Sequence, residues 1–170
     1  MAVNSAGYAL MMRGTGRGLK ENLMTPNQKA FLDMIAWSEG TTRVQGSDDG
    51  YNVLVGGTIF NGYDDHPRIL VRLNPQLYSS AAGRYQLLKR YFDHYKALLG
   101  LLDFRPISQD AIALEQIKEC RALDDIEAGR IETAIRKCAH IWASFPGSGY
   151  GQHENRLVDL LEAYKKAGGV

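Results

Sequence analysis

The chain has 170 residues, 45 % of them hydrophobic and 23 % charged, with 20 Lys and Arg against 19 Asp and Glu for a formal net charge of +1. That is one globular domain with a sizeable core, neither a disordered polymer nor a generally basic nucleic-acid binder. No apolar run approaches the roughly 18 residues needed to cross a membrane, so membrane insertion is not expected.

In chain order, "MAVNSAGYALMMRGTGRGLKENLM" (1–24) is glycine-rich and lacks apolar periodicity, and it reads as a flexible N-terminal extension. Its short apolar patch precedes its positive charges, the reverse of a secretory signal. "GTGRG" (14–18) follows no strand and carries no phosphate-loop argument. The ordered domain is expected over 25–170.

It opens with a helix. Thr25 is placed as N-cap, Pro26 fits the first helical position and Gln28 completes a capping box. Phe31, Met34 and Ile35 share a face, and Gly40 is placed to stop the helix just past Glu39. A carboxylate in the last turn faces the negative end of the helix dipole, where cations are favoured. With Trp37 close by, Glu39 is expected to ionise reluctantly, which is the property a glycosidase acid needs; the alternative is an ordinary surface glutamate.

"YNVLVGGTIF" (51–60) predicts a hairpin about Gly56-Gly57, and "RILVRLNP" (68–75) a further strand after a turn at "DDHP" (64–67). From Ser79 or Ser80 as cap, the stripe Ala81, Tyr85, Leu88, Phe92, Tyr95 and Leu99 predicts one helix of about five turns. Gly83 in its first turn costs helix stability and implies close approach of another chain segment or a ligand, with Arg84 and Gln86 as polar contacts for a sugar.

Further helices are expected near Ser108 ("SQDAIALEQIKEC"), before "EAGR", over "IETAIRKCAHIWASF" with Ile131, Ile135, Cys138 and Trp142 buried, and around Leu157, Leu160, Leu161 and Tyr164 up to Gly168-Gly169. Tyr150, in the glycine-rich "PGSGYGQ", suits either a ligand grip or a linking turn. Cys120 and Cys138 read as free thiols, bridged only if their helices pack side by side. His66, His94, His140 and His153 have no metal-ligand spacing, so no metal and no cofactor are expected. The fold class is α+β, mostly helical with one small antiparallel sheet.

"QKAFLDMIAWSEGT", "GYNVLVGG", "DHPR", "AGRYQLL", "QDAIALEQIKE", "IWASFPGSGYGQ" and "KKAGG", in this order, resemble the lambda-type phage endolysins, from about Asn27 to Gly169. The resemblance implies a lysozyme-like fold flanking a glycan cleft. It implies lytic transglycosylation between N-acetylmuramic acid and N-acetylglucosamine of peptidoglycan, with the glutamate of "WSEG", Glu39, as catalytic residue. By the same resemblance the cleft has lips near 69–78 and 146–159, Tyr150 near Glu39, and Gln86, Tyr51, Asn52 and Arg84 as substrate-binding candidates. Arg68 and Arg72 join Arg84 as candidates for the substrate's carboxylates.

Asn52 departs from the family's aspartate at that position, removing one second carboxylate. Asp48, Asp49, Asp64 and Asp65 keep a hydrolytic muramidase of the same fold as an alternative, beside a catalytically silent murein-binding module or a virion-borne murein lyase. The resemblance also implies a monomer that waits in the host cytoplasm. A holin, without direct contact, then releases it to the peptidoglycan of the cell wall.

Overall fold

The computed structural model describes residues 24–151 and 153–170. The expected extension therefore lies almost wholly outside the described residues, "GTGRG" included. Its last residue, Met24, packs against the core.

The first helix, α1 (Pro26–Glu39), forms as its sequence dictates. The Thr25 hydroxyl accepts the Gln28 N–H at 3.1 Å and the Gln28 side chain accepts the Thr25 N–H at 3.3 Å. Gly40, at φ 75°, ends the helix in the left-handed conformation and returns its N–H to the Ala36 and Trp37 carbonyls. A 3-10 turn (Thr41–Arg43) follows directly.

Helix α1 is the spine of the larger core. Ala30, Phe31, Met34, Ile35 and Ala36 are wholly buried against α3 (Pro106–Glu119), α4 (Leu123–Glu127) and α6 (Leu157–Lys166). Ile131, Ile135, Cys138 and Trp142 are buried as their spacing predicts. The helix there, α5 (Ile131–Cys138), is shorter than expected, and the residues after it continue as turns. A second cluster, with Phe60, Phe92, Phe104 and Ile112, joins α2 (Lys89–Leu99) to α3.

Two local expectations fail. The ladder is not built by residues 51–60. It pairs β1 (Val71–Asn74) with β2 (Leu77–Ser79), antiparallel, Val71 opposite Ser79 and Arg72 opposite Tyr78. The turn was hidden in "NPQ": the Asn74 side-chain oxygen accepts the Gln76 N–H at 2.9 Å, an Asx turn that reverses the chain around Pro75. Residues 51–60 do turn at Gly56-Gly57, both at φ 87°, but make only the isolated pairs Val53–Ile59 and, to the neighbouring segment, Leu54–Ala82. Other backbone groups bond to 81–83, with Val55 N–H on the Ala81 carbonyl and Gly83 N–H on the Val53 carbonyl.

The five-turn helix is likewise two structures. Ala82 and Leu87 exchange both backbone hydrogen bonds across a tight reversal, with Gly83 at φ 81° and Gln86 at φ 52°. Helix α2 starts only at Lys89, whose N–H is accepted by the Ser80 hydroxyl at 3.2 Å. Ala81, Tyr85, Phe92 and Tyr95 are buried while Leu88 and Leu99 are half-buried, so most of the stripe marks the core although no single helix carries it.

Candidate active site

Glu39 is the last residue of α1, and Gly40 turns the chain away beneath it. The residue as a whole is half-buried, yet its carboxyl group is crowded by protein on most sides. That burial lifts its pKa from 4.5 to about 7, opposed by one hydrogen bond from Ser144. The Ser144 hydroxyl donates to Glu39 Oε1 at 2.6 Å. Near neutral pH a large fraction of Glu39 is therefore the neutral acid.

Behind Ser144 stands a short polar chain. Ser38 Oγ is 2.7 Å from Ser144 Oγ, and the Asn155 amide nitrogen is 3.0 Å from Ser38 Oγ. The same nitrogen reaches the Ser38 carbonyl at 3.2 Å and the Ser144 carbonyl at 3.3 Å, while the Asn155 N–H donates to the Ser144 carbonyl at 2.8 Å. Three distant segments thus meet at one carboxylate: the end of α1, the turn after α5 and the approach to α6. Sequence reasoning missed Ser38, Ser144 and Asn155. No local pattern distinguishes them, and only "WSEG" and "WAS" lying beside each other would have shown the link.

The segment after Ser144 is braced by Glu154. Its carboxylate accepts the Gly147 N–H at 2.8 Å, the Ser148 hydroxyl at 2.9 Å and the Gly149 N–H at 3.2 Å, which holds its pKa below the usual glutamate range. Tyr150 is exposed and donates to the His140 carbonyl at 2.8 Å. Its ring thus stands on a loop that Glu154 ties and Ser144 links to Glu39. The β1–β2 hairpin likewise exposes Ile69, Leu70, Leu73, Leu77 and Tyr78.

The remaining expected site residues are placed differently. Arg84 is 4 % exposed. Its Nη2 bonds Asp33 at 2.9 Å and lies 3.3 Å from Asp49, and its Cζ stands 5.1 Å from the Tyr51 ring centroid. It is an interior strut, not a surface arginine. Tyr51 and Tyr85 both donate to Asp110 Oδ1, at 2.9 and 2.6 Å, and burial pushes the pKa of Asp110 up. The ring of Tyr51 remains half-buried, whereas its hydroxyl is committed inward.

Asn52 accepts the Asp48 N–H at 2.8 Å and so braces its own loop. Gln86 gives its side-chain N–H groups to the Val53 and Gly83 carbonyls, at 3.2 and 3.0 Å. The close approach that Gly83 implied is the Gln109 side chain: a Cβ at position 83 would lie 2.2 Å from Gln109 Oε1, which accepts the Arg84 N–H at 2.9 Å. Arg68 is taken by Asp65 and Asp93, at 2.6 and 2.5 Å. Buried His66 has its Nε2 2.9 Å from the Leu87 carbonyl and accepts the Arg68 N–H on Nδ1, which fixes the proton on Nε2.

Three of the four candidate second carboxylates are engaged. Asp48 accepts the Tyr63 hydroxyl at 2.7 Å, Asp49 faces Arg84, and Asp65 pairs with Arg68 and Lys96. Asp64 is exposed. Among the described residues, Ser144 alone hydrogen-bonds the Glu39 side chain, and no group of three or more His, Cys, Asp or Glu is arranged to hold a metal.

Comparison with known proteins identifies the family to which the chain belongs. The Endolysin family model matches residues 29–170. The endolysin of Escherichia phage lambda is 57 % identical over 145 residues, 84 % of this chain and 92 % of that protein. That of Escherichia phage P2 is 46 % identical over 157 residues, 85 % and 94 % respectively. Phage lambda lysozyme complexed with a chitohexasaccharide superposes with a TM-score of 0.85 at 55 % identity, over 87 % of this chain and 97 % of that one. Another lambda lysozyme structure gives 0.81 at 53 % identity, with the same coverage. The chain belongs to the endolysin family and is a peptidoglycan-degrading enzyme with a lysozyme-like fold.

Proposed function

We propose that this endolysin cleaves the β-1,4 bond between N-acetylmuramic acid and N-acetylglucosamine as a lytic transglycosylase. The observation that carries the reading is Glu39 itself: a carboxyl group lifted to about 7 by burial and held by one hydroxyl donor, able both to give and to take a proton near neutral pH. A retaining or inverting hydrolase uses two carboxylates flanking the bond, one of them for the nucleophile or the water. A transglycosylase needs one.

Neutral Glu39 donates its proton to the glycosidic oxygen as the C1–O bond breaks, and positive charge develops at C1 of the muramic acid residue. The resulting carboxylate then accepts the proton of that residue's own C6 hydroxyl. The C6 oxygen bonds to C1 and closes a 1,6-anhydro ring. Glu39 ends protonated, as it began, and no water is consumed. A pKa near the working pH serves both halves, because the group must give a proton and then take one.

The glycan would run between the exposed β1–β2 hairpin and the Glu154-braced loop. That lambda lysozyme has been seen with a chitohexasaccharide supports a sugar chain as ligand. Tyr150 and the Tyr51 ring are offered as walls; Arg84 is not, since it is buried. For biological setting, we place the enzyme in the host cytoplasm until a holin opens the route to the wall.

The test is mass spectrometry of glycan ends after digestion of purified peptidoglycan by the wild type and by Glu39→Gln. Ends lighter by one water, lost in the variant, are the expected result. Reducing ends would make it a hydrolase, with Asp64 the first of the carboxylates to test.

A further inference from the structure

We infer that Asn155 is a positioning residue: through Ser38 it points the Ser144 hydroxyl at Glu39 Oε1, so that the transferable proton of Glu39 resides on Oε2. The inference rests on the reading of Glu39 as the acid and deepens it.

The Asn155 amide nitrogen faces two backbone carbonyls, those of Ser38 and Ser144, which only accept. Its oxygen in that place would meet two acceptors, so the NH₂ orientation is forced rather than assigned by preference. The Ser144 carbonyl already accepts the Asn155 backbone N–H at 2.8 Å, so the two amide protons serve the Ser38 carbonyl and Ser38 Oγ, which at 3.0 Å is the nearest contact of that nitrogen and can meet it only as an acceptor. Ser38 is 6 % exposed, and its single proton must also find a partner. Ser144 Oγ, at 2.7 Å, supplies it.

Ser144, having accepted from Ser38, gives its own proton to Glu39 Oε1 at 2.6 Å. The direction Asn155 to Ser38 to Ser144 to Glu39 satisfies every group. The opposite direction would leave the buried Ser38 proton with no acceptor among the described residues, once Asn155 donates to its oxygen. With Oε1 occupied by a donor, a proton on the neutral carboxyl belongs on Oε2. Asn155 has no titratable proton, so the direction holds throughout the pH range in which Glu39 titrates. Among the described residues, burial raises its pKa and the Ser144 hydroxyl opposes the rise.

The consequence is mechanical as well as electrostatic. Oε2 is left as the one oxygen able to give a proton and then take one back, so the same atom meets the glycosidic oxygen and the C6 hydroxyl. Aligned donors along the chain polarise one another and strengthen the last bond, which favours the ionised form of Glu39.

Two variants test this, Ser38→Ala and Asn155→Asp. Ser38→Ala removes the middle hydroxyl without changing charge and leaves Asn155 its backbone acceptors. Asn155→Asp keeps the shape but draws the Ser38 proton to itself. Each is read by the titration of the Glu39 side-chain carboxyl in protein carrying a carbon-13 label there, and by kcat and KM on soluble glycan strands across pH.

Both variants are expected to raise the Glu39 pKa by roughly half a unit or more. Both should lower kcat by about tenfold, part of what a positioned acid supplies, with KM little changed. An unchanged titration in Ser38→Ala overturns the inference, and so does a wild-type kcat in both variants. Were the wild type to cut no glycan at all, the reading of Glu39 as the acid would fall. The carbon-13 titration would still decide the direction of the chain.

Discussion

Glu39→Gln should stabilise this protein at alkaline pH and leave its stability unchanged in acid. The glutamine side chain keeps the size of the original and an oxygen that accepts from Ser144. The wild-type carboxyl moves from 4.5 to about 7 on folding. Because the folded pKa is the higher one, the unfolded chain releases this proton first as pH rises. The folded state therefore has its full share of stability below about pH 4.5, loses it progressively, and reaches a plateau above about pH 7. A rise of that size, at 1.36 kcal/mol per unit, amounts to roughly 3 kcal/mol.

The amide never ionises and escapes this loss. Thermal unfolding followed by near-ultraviolet circular dichroism at fixed ionic strength measures the difference. The variant should melt within about a degree of the wild type near pH 4, and roughly 5–10 °C above it near pH 8.5. A difference that stays flat across that range would mean that burial does not shift Glu39. Its role as the acid would then lose its physical basis, whatever the variant's activity.

Other perturbations follow from the same geometry. Gly83→Ala forces a Cβ to within 2.2 Å of Gln109 Oε1 and 2.9 Å of Phe104 Cζ at φ 81°; the urea midpoint should fall by the equivalent of about 3 kcal/mol. Glu154→Ala removes the carboxylate that accepts three hydrogen bonds from the 147–149 loop. Hydrogen exchange at Gly147 and Gly149 should speed up and KM for glycan rise, while global stability changes by about 1 kcal/mol or less. An alkylating thiol reagent should modify half-buried Cys120 in the native protein and wholly buried Cys138 only after unfolding; equal native rates would contradict the packing of α5.

What could be read from the sequence was whatever a residue's near neighbours in the chain decide. The Thr25–Gln28 box, Gly40 and the position of Glu39 at a helix end are all local events, and "WSEG" carries the last two within a few residues. The apolar stripe from Ala81 to Leu99 also named its buried members well. It misnamed their conformation, because periodicity reports which side chains face a core and not which backbone delivers them. Gly83 makes the same point: the crowding was legible, but the occupant, Gln109, comes from α3, distant in sequence. A similar limit hid the real turn, since Asn74 and Pro75 read as the end of a strand until Leu77–Ser79 is seen to return beside it.

The candidate site divides along this line too. Glu39 was legible because a carboxylate at a helix C-terminus is locally anomalous. Ser144 and Asn155 are not anomalous anywhere in the chain: a serine after "IWA" and an asparagine before a helix satisfy every local rule. Their function arises only where Ser38, Ser144 and Asn155 converge, and the backbone shows no local penalty for them. Arg84 errs in the opposite sense, since a charged residue beside a functional-looking glycine invites a surface role. Its guanidinium is instead buried, with Nη2 between Asp33 and the exposed Asp49 and with the Tyr51 ring beside it, while Nε and Nη1 have no hydrogen-bond partner among the described residues. Direction of hydrogen bonding, unlike hydrophobic period, is a property of closed sets of partners. In this protein the set of hydrogen bonds that ends on the Glu39 carboxyl is closed by an amide more than a hundred residues further along the chain.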